Sequence, residues 1–367
     1  MMKRMKALLF FLVFVQAKGD SVTNNMTEKP VFIFLAGGSG ERLWPLSRKD
    51  RPKQLIPFLG NQSLLEQSID RIASLASDKK NLIVLTNQEQ SPAITQLVGD
   101  RVGDVMAEPA SRNTGPAILY ACLKSVSRDI SDDPVLVFLP SDHFIPDAKK
   151  FCTALQKTIG YASNHDVIAL LGLMPVFPAT GYGYIQAKIS QDSCYPVEKF
   201  HEKPTLDVAQ EYIRRDDMFW NIGIFIARRS VLLKEFQKHA PELFSGMQEY
   251  LAEKQVYKNL PNISIDYAIM EKSSNIVMLP ADFEWHDVGN IKTFLDIKTK
   301  YGKKDEVSRV ITCEGQNNSA ITSKKIVACV GVSDVCIVET DDIILVVAKD
   351  RVEQVKQILG KIKELGL

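Results

Sequence analysis

From Pro30 onward the chain alternates short, unbroken apolar runs with stretches that carry a helical stripe, and each apolar run ends in polar or glycine-rich residues. Val31–Ala36, Asn81–Thr86 and Val135–Leu139 are such runs. Their continuity, rather than every-other-residue alternation, predicts strands buried on both faces. Ser63–Ala76 places apolar residues at 64, 65, 69, 72, 73 and 76, a helical period, and Thr114–Val126 reads as a helix after a turn. Strand and helix in alternation imply an α/β fold: a Rossmann-like, mostly parallel sheet flanked by helices. In such sheets ligands bind at the carboxyl ends of the strands, where the polar motifs of this chain fall.

The first of these ends is Ala36-Gly37-Gly38-Ser39-Gly40-Glu41-Arg42-Leu43. Glycines let backbone N–H groups approach an anion and adopt positive φ. The loop is not a Walker A motif, for no Gly-Lys-Ser/Thr follows. It is a poor dinucleotide fingerprint, since Leu43 replaces the third glycine and Trp44-Pro45 interrupts a helix. Alone it could be a tight turn. Its sequel is basic: Arg42, Arg48, Arg51 and then Pro52-Lys53-Gln54. Cations just after a glycine loop suit a triphosphate, although Arg48, Lys49 and Arg51 also read as a solvated loop.

Gly37 to Arg48, taken with Pro52-Lys53-Gln54, resembles the signature of sugar nucleotidyltransferases, and within them mannose-1-phosphate guanylyltransferases. Glu41 departs from the Thr usual there. Further segments resemble the family in the same order: Glu108–Ala117, Leu139–His143, Val197–Pro204, Phe219–Phe225, Ser264–Lys272 and Trp285–Gly289, while Gly181–Ile185 is a glycine–aromatic turn before a strand that could be only a hairpin corner.

The resemblance implies transfer of GMP from GTP to mannose 1-phosphate, giving GDP-mannose and pyrophosphate, within a nucleotidyltransferase fold. It implies Arg42 and Lys53 as catalytic charges, and Gly37, Gly38, Ser39, Gly40, Asn113 and Thr114 around the nucleotide. It also implies Gly183, Glu202, Lys203 and Asn221 around the sugar phosphate, with Asp142 and Asp287 holding Mg²⁺ or Mn²⁺. Without the family, Thr114 reads as a helix cap and Asp142 as a turn or cap residue. Asp266 reads as a helix cap or as a residue that shapes the sugar pocket, with the structural role favoured, and Ile222 replaces the usual Ser. Zinc lacks a third ligand. Alternatives are another hexose 1-phosphate, a non-catalytic nucleotide-sugar sensor and, least, a dehydrogenase.

Charge excludes one class: 45 basic against 44 acidic residues leave +1, which argues against general nucleic-acid binding. Six cysteines without a Cys-x-x-Cys pair suggest free thiols and a reducing compartment. After Lys300 short apolar runs at Ile326–Val330, Cys336–Glu339 and Ile343–Ala348 precede an amphipathic stretch, Asp350–Leu367. This predicts an N-terminal extension (1–29), a catalytic domain (30–297) and a small β-rich C-terminal unit (298–367). Longer relatives carry an isomerase domain beyond this point, so no phosphomannose isomerase activity is expected. In the extension, Met1–Lys6 is basic, Ala7–Val15 apolar and too short to span a bilayer, and Val15-Gln16-Ala17 resembles a cleavage site. Against export stand Met26 as a natural start and the need for GTP. The expectation is a cytoplasmic protein with export or anchoring left open, no stable membrane span, and room for a homo-oligomer.

Overall fold

The computed structural model describes residues 29–38, 40–48, 51–124, 133–303, 309–323 and 325–364. The apolar N-terminal stretch, Ser39 and the last two residues of the helix expected over 114–126 lie outside them. Nine strands form the main sheet: β1 (Val31–Leu35), β2 (Leu82–Asn87), β3 (Asp104–Glu108), β4 (Val135–Pro140), β5 (Ile168–Leu173), β6 (Gly183–Ala187), β7 (Tyr195–His201), β8 (Met218–Arg228) and β9 (Ile276–Ala281). Their order is β3-β2-β1-β4-β8-β5-β9-β7-β6, with β8 also paired to β6.

The runs read as parallel strands are parallel: β1 lies between β2 and β4, and β2 pairs with β3. The later half is mixed. β8 enters antiparallel between β4 and β5, and β7 runs antiparallel to β9 and β6. β8 is long enough for its first half to pair with β6 and its second with β4. The pairings β8-β5-β9-β7-β6-β8 therefore form a closed circuit beside the open parallel half.

Helices α1 (Leu64–Ile72), α2 (Ser91–Val98), α3 (Thr114–Lys124), α4 (Ala148–Asn164), α5 (Leu206–Tyr212), α6 (Arg229–His239) and α7 (Pro241–Leu251) accompany this sheet. Side chains alternate across a strand, so β1 feeds two cores. Phe32 and Phe34 pack with Leu65 and Ile69 of α1, Ile94 of α2 and Phe151 of α4. Val31 and Ile33 pack with Ile118 of α3, Phe236 of α6 and Leu243 of α7. The start of α1 is fixed by a capping box: Glu66 N–H donates to Ser63 Oγ (3.2 Å) and Ser63 N–H to Glu66 Oε2 (2.8 Å).

Helix α8 (Ile291–Tyr301) leads to the C-terminal unit, which pairs β10 (Val310–Cys313) with β12 (Val327–Val330) in parallel. Its other sheet joins β11 (Ser319–Ile321), β13 (Val335–Glu339) and β14 (Ile344–Ala348). The closing helix is shorter than its apolar stripe suggested: a 3₁₀ turn over Val352–Gln354 precedes α9 (Val355–Glu364). All six cysteines lie among the described residues and none is in a disulfide. No helix among those residues is long and apolar enough to cross a membrane.

A third core joins the two units. Phe294 and Ile297 of α8, Leu43, Phe58 and Phe144 meet Cys336, Val338 and Val352 of the C-terminal unit. Phe58 stands edge-on to both Phe294 (4.8 Å) and Phe144 (5.6 Å), and Phe144 follows His143 directly, so this core buttresses a strand end of the cleft. Phe294→Ala leaves a cavity in wholly buried surroundings and is expected to cost about 3–5 kcal/mol in denaturant unfolding.

Candidate active site

A cleft of about 400 Å³ opens at the carboxyl ends of β1 and β4 and runs toward β6 and β8. The glycine loop forms one wall, and its orientation is set by side chains behind it. Ala36 C=O accepts from Gln54 Nε2 (2.6 Å) and Thr86 Oγ1 (2.9 Å), Gly37 C=O from Asn87 Nδ2 (3.4 Å), and Gly38 C=O from Gln90 Nε2 (3.3 Å). In a trans peptide the N–H points opposite to the preceding C=O. With the carbonyls turned to the body, the N–H groups of Gly37 and Gly38 turn away from it, and among the described residues no protein acceptor meets them. That is the geometry of an anion cradle. Gly40 has φ +66°, and a Cβ there would lie 2.4 Å from Lys53 Cβ, so only glycine lets the loop pass so close to Lys53.

Lys53 sits in a 3₁₀ turn (Lys53–Leu55) and is buried. Its Nζ lies 2.7 Å from Asp142 Oδ2 and 3.3 Å from Asp287 Oδ1, which draws together three segments far apart in the chain. Burial alone pulls the ammonium's pKa down, yet the two carboxylates outweigh it and the pKa is raised. Asp142 behaves inversely: burial pushes its pKa up, but the Lys53 ammonium holds it below the ordinary value. Lys53 and Asp142 therefore hold each other charged at neutral pH.

Asp142, His143 and Asp287 bring one ligand atom each within 4.8 Å of one another. Trp285 Nε1–H donates to His143 Nδ1 (3.0 Å). Burial keeps that imidazole neutral, so its proton sits on Nε2, the atom 3.9 Å from Asp142 Oδ1. A protonated nitrogen offers no lone pair. The set that remains is two carboxylates, hard oxygen donors on one side of the cleft.

On one flank Glu108, at the end of β3, is buried and accepts from Tyr257 OH; burial raises its pKa to about 7, with the Tyr257 bond pulling the other way. Asn113, at φ +69°, accepts from Thr114 N–H (2.9 Å), and both line the cleft. The cap reading of Thr114 is corrected: Thr114 is itself the first residue of α3, and its hydroxyl accepts from Ile265 N–H (2.9 Å), tying the helix to the opposite wall.

On the other flank Glu202 Oε2 approaches Gly183 so closely that a Cβ there would lie 2.8 Å away. Asn221 Nδ2 donates to Asp266 Oδ1 (3.4 Å), and Asn221 Oδ1 accepts from Gly223 N–H (3.1 Å). Burial, then the Glu202 charge, raises the Asp266 pKa to about 7. Asp266 lines the cleft.

Thus Gly37, Gly38, Asn113, Thr114, Asp142, Gly183, Glu202, Asn221 and Asp287 share one cleft, with Lys53 paired to its two aspartates and Gly40 packed against Lys53. Ser39 lies outside the described residues. Two expected residues are turned aside. Arg42 pairs with Glu353 of the C-terminal unit (2.9 Å), and Lys203 Nζ pairs with Glu202 Oε1 (2.7 Å) while staying largely exposed. Glu108, Tyr182, Asp266 and Trp285 also line the cleft. Their signal is placement at strand and turn ends, which sequence spacing does not reveal.

Residues 31–304 match the family model described as nucleotidyl transferase, and residues 308–362 match a MannoseP isomerase/GMP-like beta-helix domain. The chain belongs to the nucleotidyl transferase family. It is similar to the xanthan biosynthesis protein XanB of Xanthomonas campestris pv. campestris, 36% identical over 348 residues, which are 91% of this chain and 73% of that protein. It is also similar to the mannose-1-phosphate guanylyltransferase RfbM of Salmonella typhimurium, 32% identical over 346 residues, 90% of this chain and 72% of that protein. A solved structure from Thermus thermophilus, described as mannose-1-phosphate geranyltransferase, matches with a TM-score of 0.80 at 30% identity. It covers 91% of this chain and 99% of that one.

The Asp266 carboxyl gives a pH prediction. Its folded pKa of about 7 lies above the ordinary 3.8, so between those values the folded state holds a proton that the unfolded chain has released. Its contribution to stability therefore falls as pH rises through that window. Asp266→Asn removes this share of the fall, stabilising the protein at pH 7 relative to pH 4 by about 1 kcal/mol or more in urea unfolding. The share due to Glu108, which has the same sign, remains.

Proposed function

We propose that this chain transfers GMP from GTP to α-D-mannose 1-phosphate, releasing GDP-mannose and pyrophosphate. The observation that carries the reading is Lys53 bridging Asp142 and Asp287 beside a glycine loop whose N–H groups have no protein acceptor among the described residues. The name of the Salmonella relative supports the choice of sugar and base.

In this reading a phosphate oxygen of mannose 1-phosphate attacks the α-phosphorus of GTP in line. The new P–O bond forms as the bond to the β-phosphate oxygen breaks, and pyrophosphate leaves with the electron pair. The attacking phosphate is already ionised near neutral pH, so no general base is assigned and no covalent intermediate forms on the protein. Catalysis then rests on positioning and on charge. The loop Gly37 to Gly40 holds the phosphates through backbone N–H groups, while Asn113 and Thr114 lie beside guanine. Glu202 and Asn221 hold sugar hydroxyls, Gly183 gives them room, and Lys203 turns from Glu202 to the sugar's phosphate. Lys53 and Arg42 balance the charge that develops on the departing pyrophosphate.

Two carboxylates within reach of phosphate oxygens fit a hard divalent cation such as Mg²⁺ or Mn²⁺, which keeps water and phosphate among its ligands. Asp142 and Asp287 would hold it, through oxygens that Lys53 does not engage. When bound, such an ion neutralises phosphate charge and favours in-line geometry. Dependence on GTP makes the cytoplasm the proposed compartment.

Pyrophosphate release, measured with four nucleoside triphosphates against mannose 1-phosphate and glucose 1-phosphate, tests the reading. Release confined to GTP with mannose 1-phosphate is the expected result. Another productive pair would correct the substrate, and silence from a folded, GTP-binding protein would favour a sensor. Lys53→Ala is expected to lower turnover by about 10²-fold or more, as for other preorganised charges; near-normal turnover would remove Lys53 from the mechanism.

A further inference from the structure

Arg42 belongs to the 3₁₀ turn Glu41–Leu43 that directly follows the glycine loop, yet its side chain leaves the cleft. Arg42 Nε lies 2.9 Å from Glu353 Oε2, in the 3₁₀ turn that closes the C-terminal unit. Both side chains are about half exposed, 50% and 57%. The backbones on either side are anchored: Leu43 and Val352, their chain neighbours, are buried in the shared third core.

Glu353 is held from a second direction. Its Oε1 accepts from Asn290 Nδ2 (2.9 Å), and Asn290 caps α8 through Oδ1, which accepts from Thr293 N–H (3.0 Å). Asn290 follows Asp287 by three residues. One carboxylate of the C-terminal unit thus touches the arginine after the glycine loop and the segment that carries the second cleft aspartate. Arg48 repeats the pattern, donating to Asp342 Oδ1 (2.7 Å) of the same unit.

We infer that Glu353 is a positioning residue that parks Arg42 on the C-terminal unit until a nucleoside triphosphate draws the guanidinium into the cleft. The inference rests on the proposed reading of Arg42 as a triphosphate ligand. A half-exposed carboxylate offers one charge in high dielectric, and a triphosphate offers several, so the exchange favours the ligand. Glu353 keeps its Asn290 bond throughout, and the C-terminal turn does not unfold when Arg42 departs. Because the ion pair is broken at each binding event, it subtracts from nucleotide affinity, as any competing resting state does.

Removing the charge while keeping the shape isolates this effect. GTP binding without sugar phosphate, by titration calorimetry, is compared among the native protein, Glu353→Gln, Arg42→Ala and the double variant. Glu353→Gln is expected to bind GTP about two- to fivefold more tightly, the size of an exposed ion pair. That gain is expected to vanish when Arg42 is already alanine. Unchanged or weaker binding by Glu353→Gln, or the same gain in the Arg42→Ala background, overturns the inference while leaving the functional reading intact. Absence of GTP binding by the native protein overturns both.

Discussion

The site depends on one buried ammonium. Lys53 stands between Asp142 and Asp287, and the two contacts join the segment after the glycine loop to the end of β4 and to the short strand His286–Asp287, 234 residues further along the chain. Burying a lysine is costly, and a buried ion pair adds little net stability because desolvation offsets attraction. What the trio does is fix geometry. That geometry explains why the surrounding glycines are where they are: Gly40 must lack a side chain for the loop to reach Lys53.

Around that centre the rest of the fold acts as support. The parallel strands β3-β2-β1-β4 present the glycine loop, Glu108 and Asp142 at one edge. The closed circuit through β8 and β6 presents Asn221 and Gly183 at the far end of the same cleft. The third core then ties Phe144, next to His143, to the C-terminal unit. The small β-rich unit is thereby packed against the catalytic one, and its acidic residues reach Arg42 and Arg48.

Much of this was legible in the residues alone. The apolar run of β1, the helical stripe of Ser63–Ala76 and the carboxylate after β4 are local patterns, and local patterns survive in sequence. The meeting of Asp142 with Asp287 came from family resemblance, because no spacing rule brings such distant residues together. Other features depend wholly on long-range packing. The antiparallel entry of β8 follows from chain direction, to which an apolar run is blind. Thr114 looked like a cap because its hydroxyl has a local option, yet Ile265 takes it. The diversion of Arg42 to Glu353 needs the C-terminal turn in place before it can be seen.

The central claim is that Asp142 and Asp287, braced by Lys53, form one cation site completed by the nucleotide. Binding of Mn²⁺, followed by electron paramagnetic resonance with and without GTP, tests it in the native protein and in Asp142→Asn and Asp287→Asn. The account predicts tight Mn²⁺ binding by the native protein with GTP present and its loss in either variant. Mn²⁺ held equally well by both variants in the presence of GTP would contradict it.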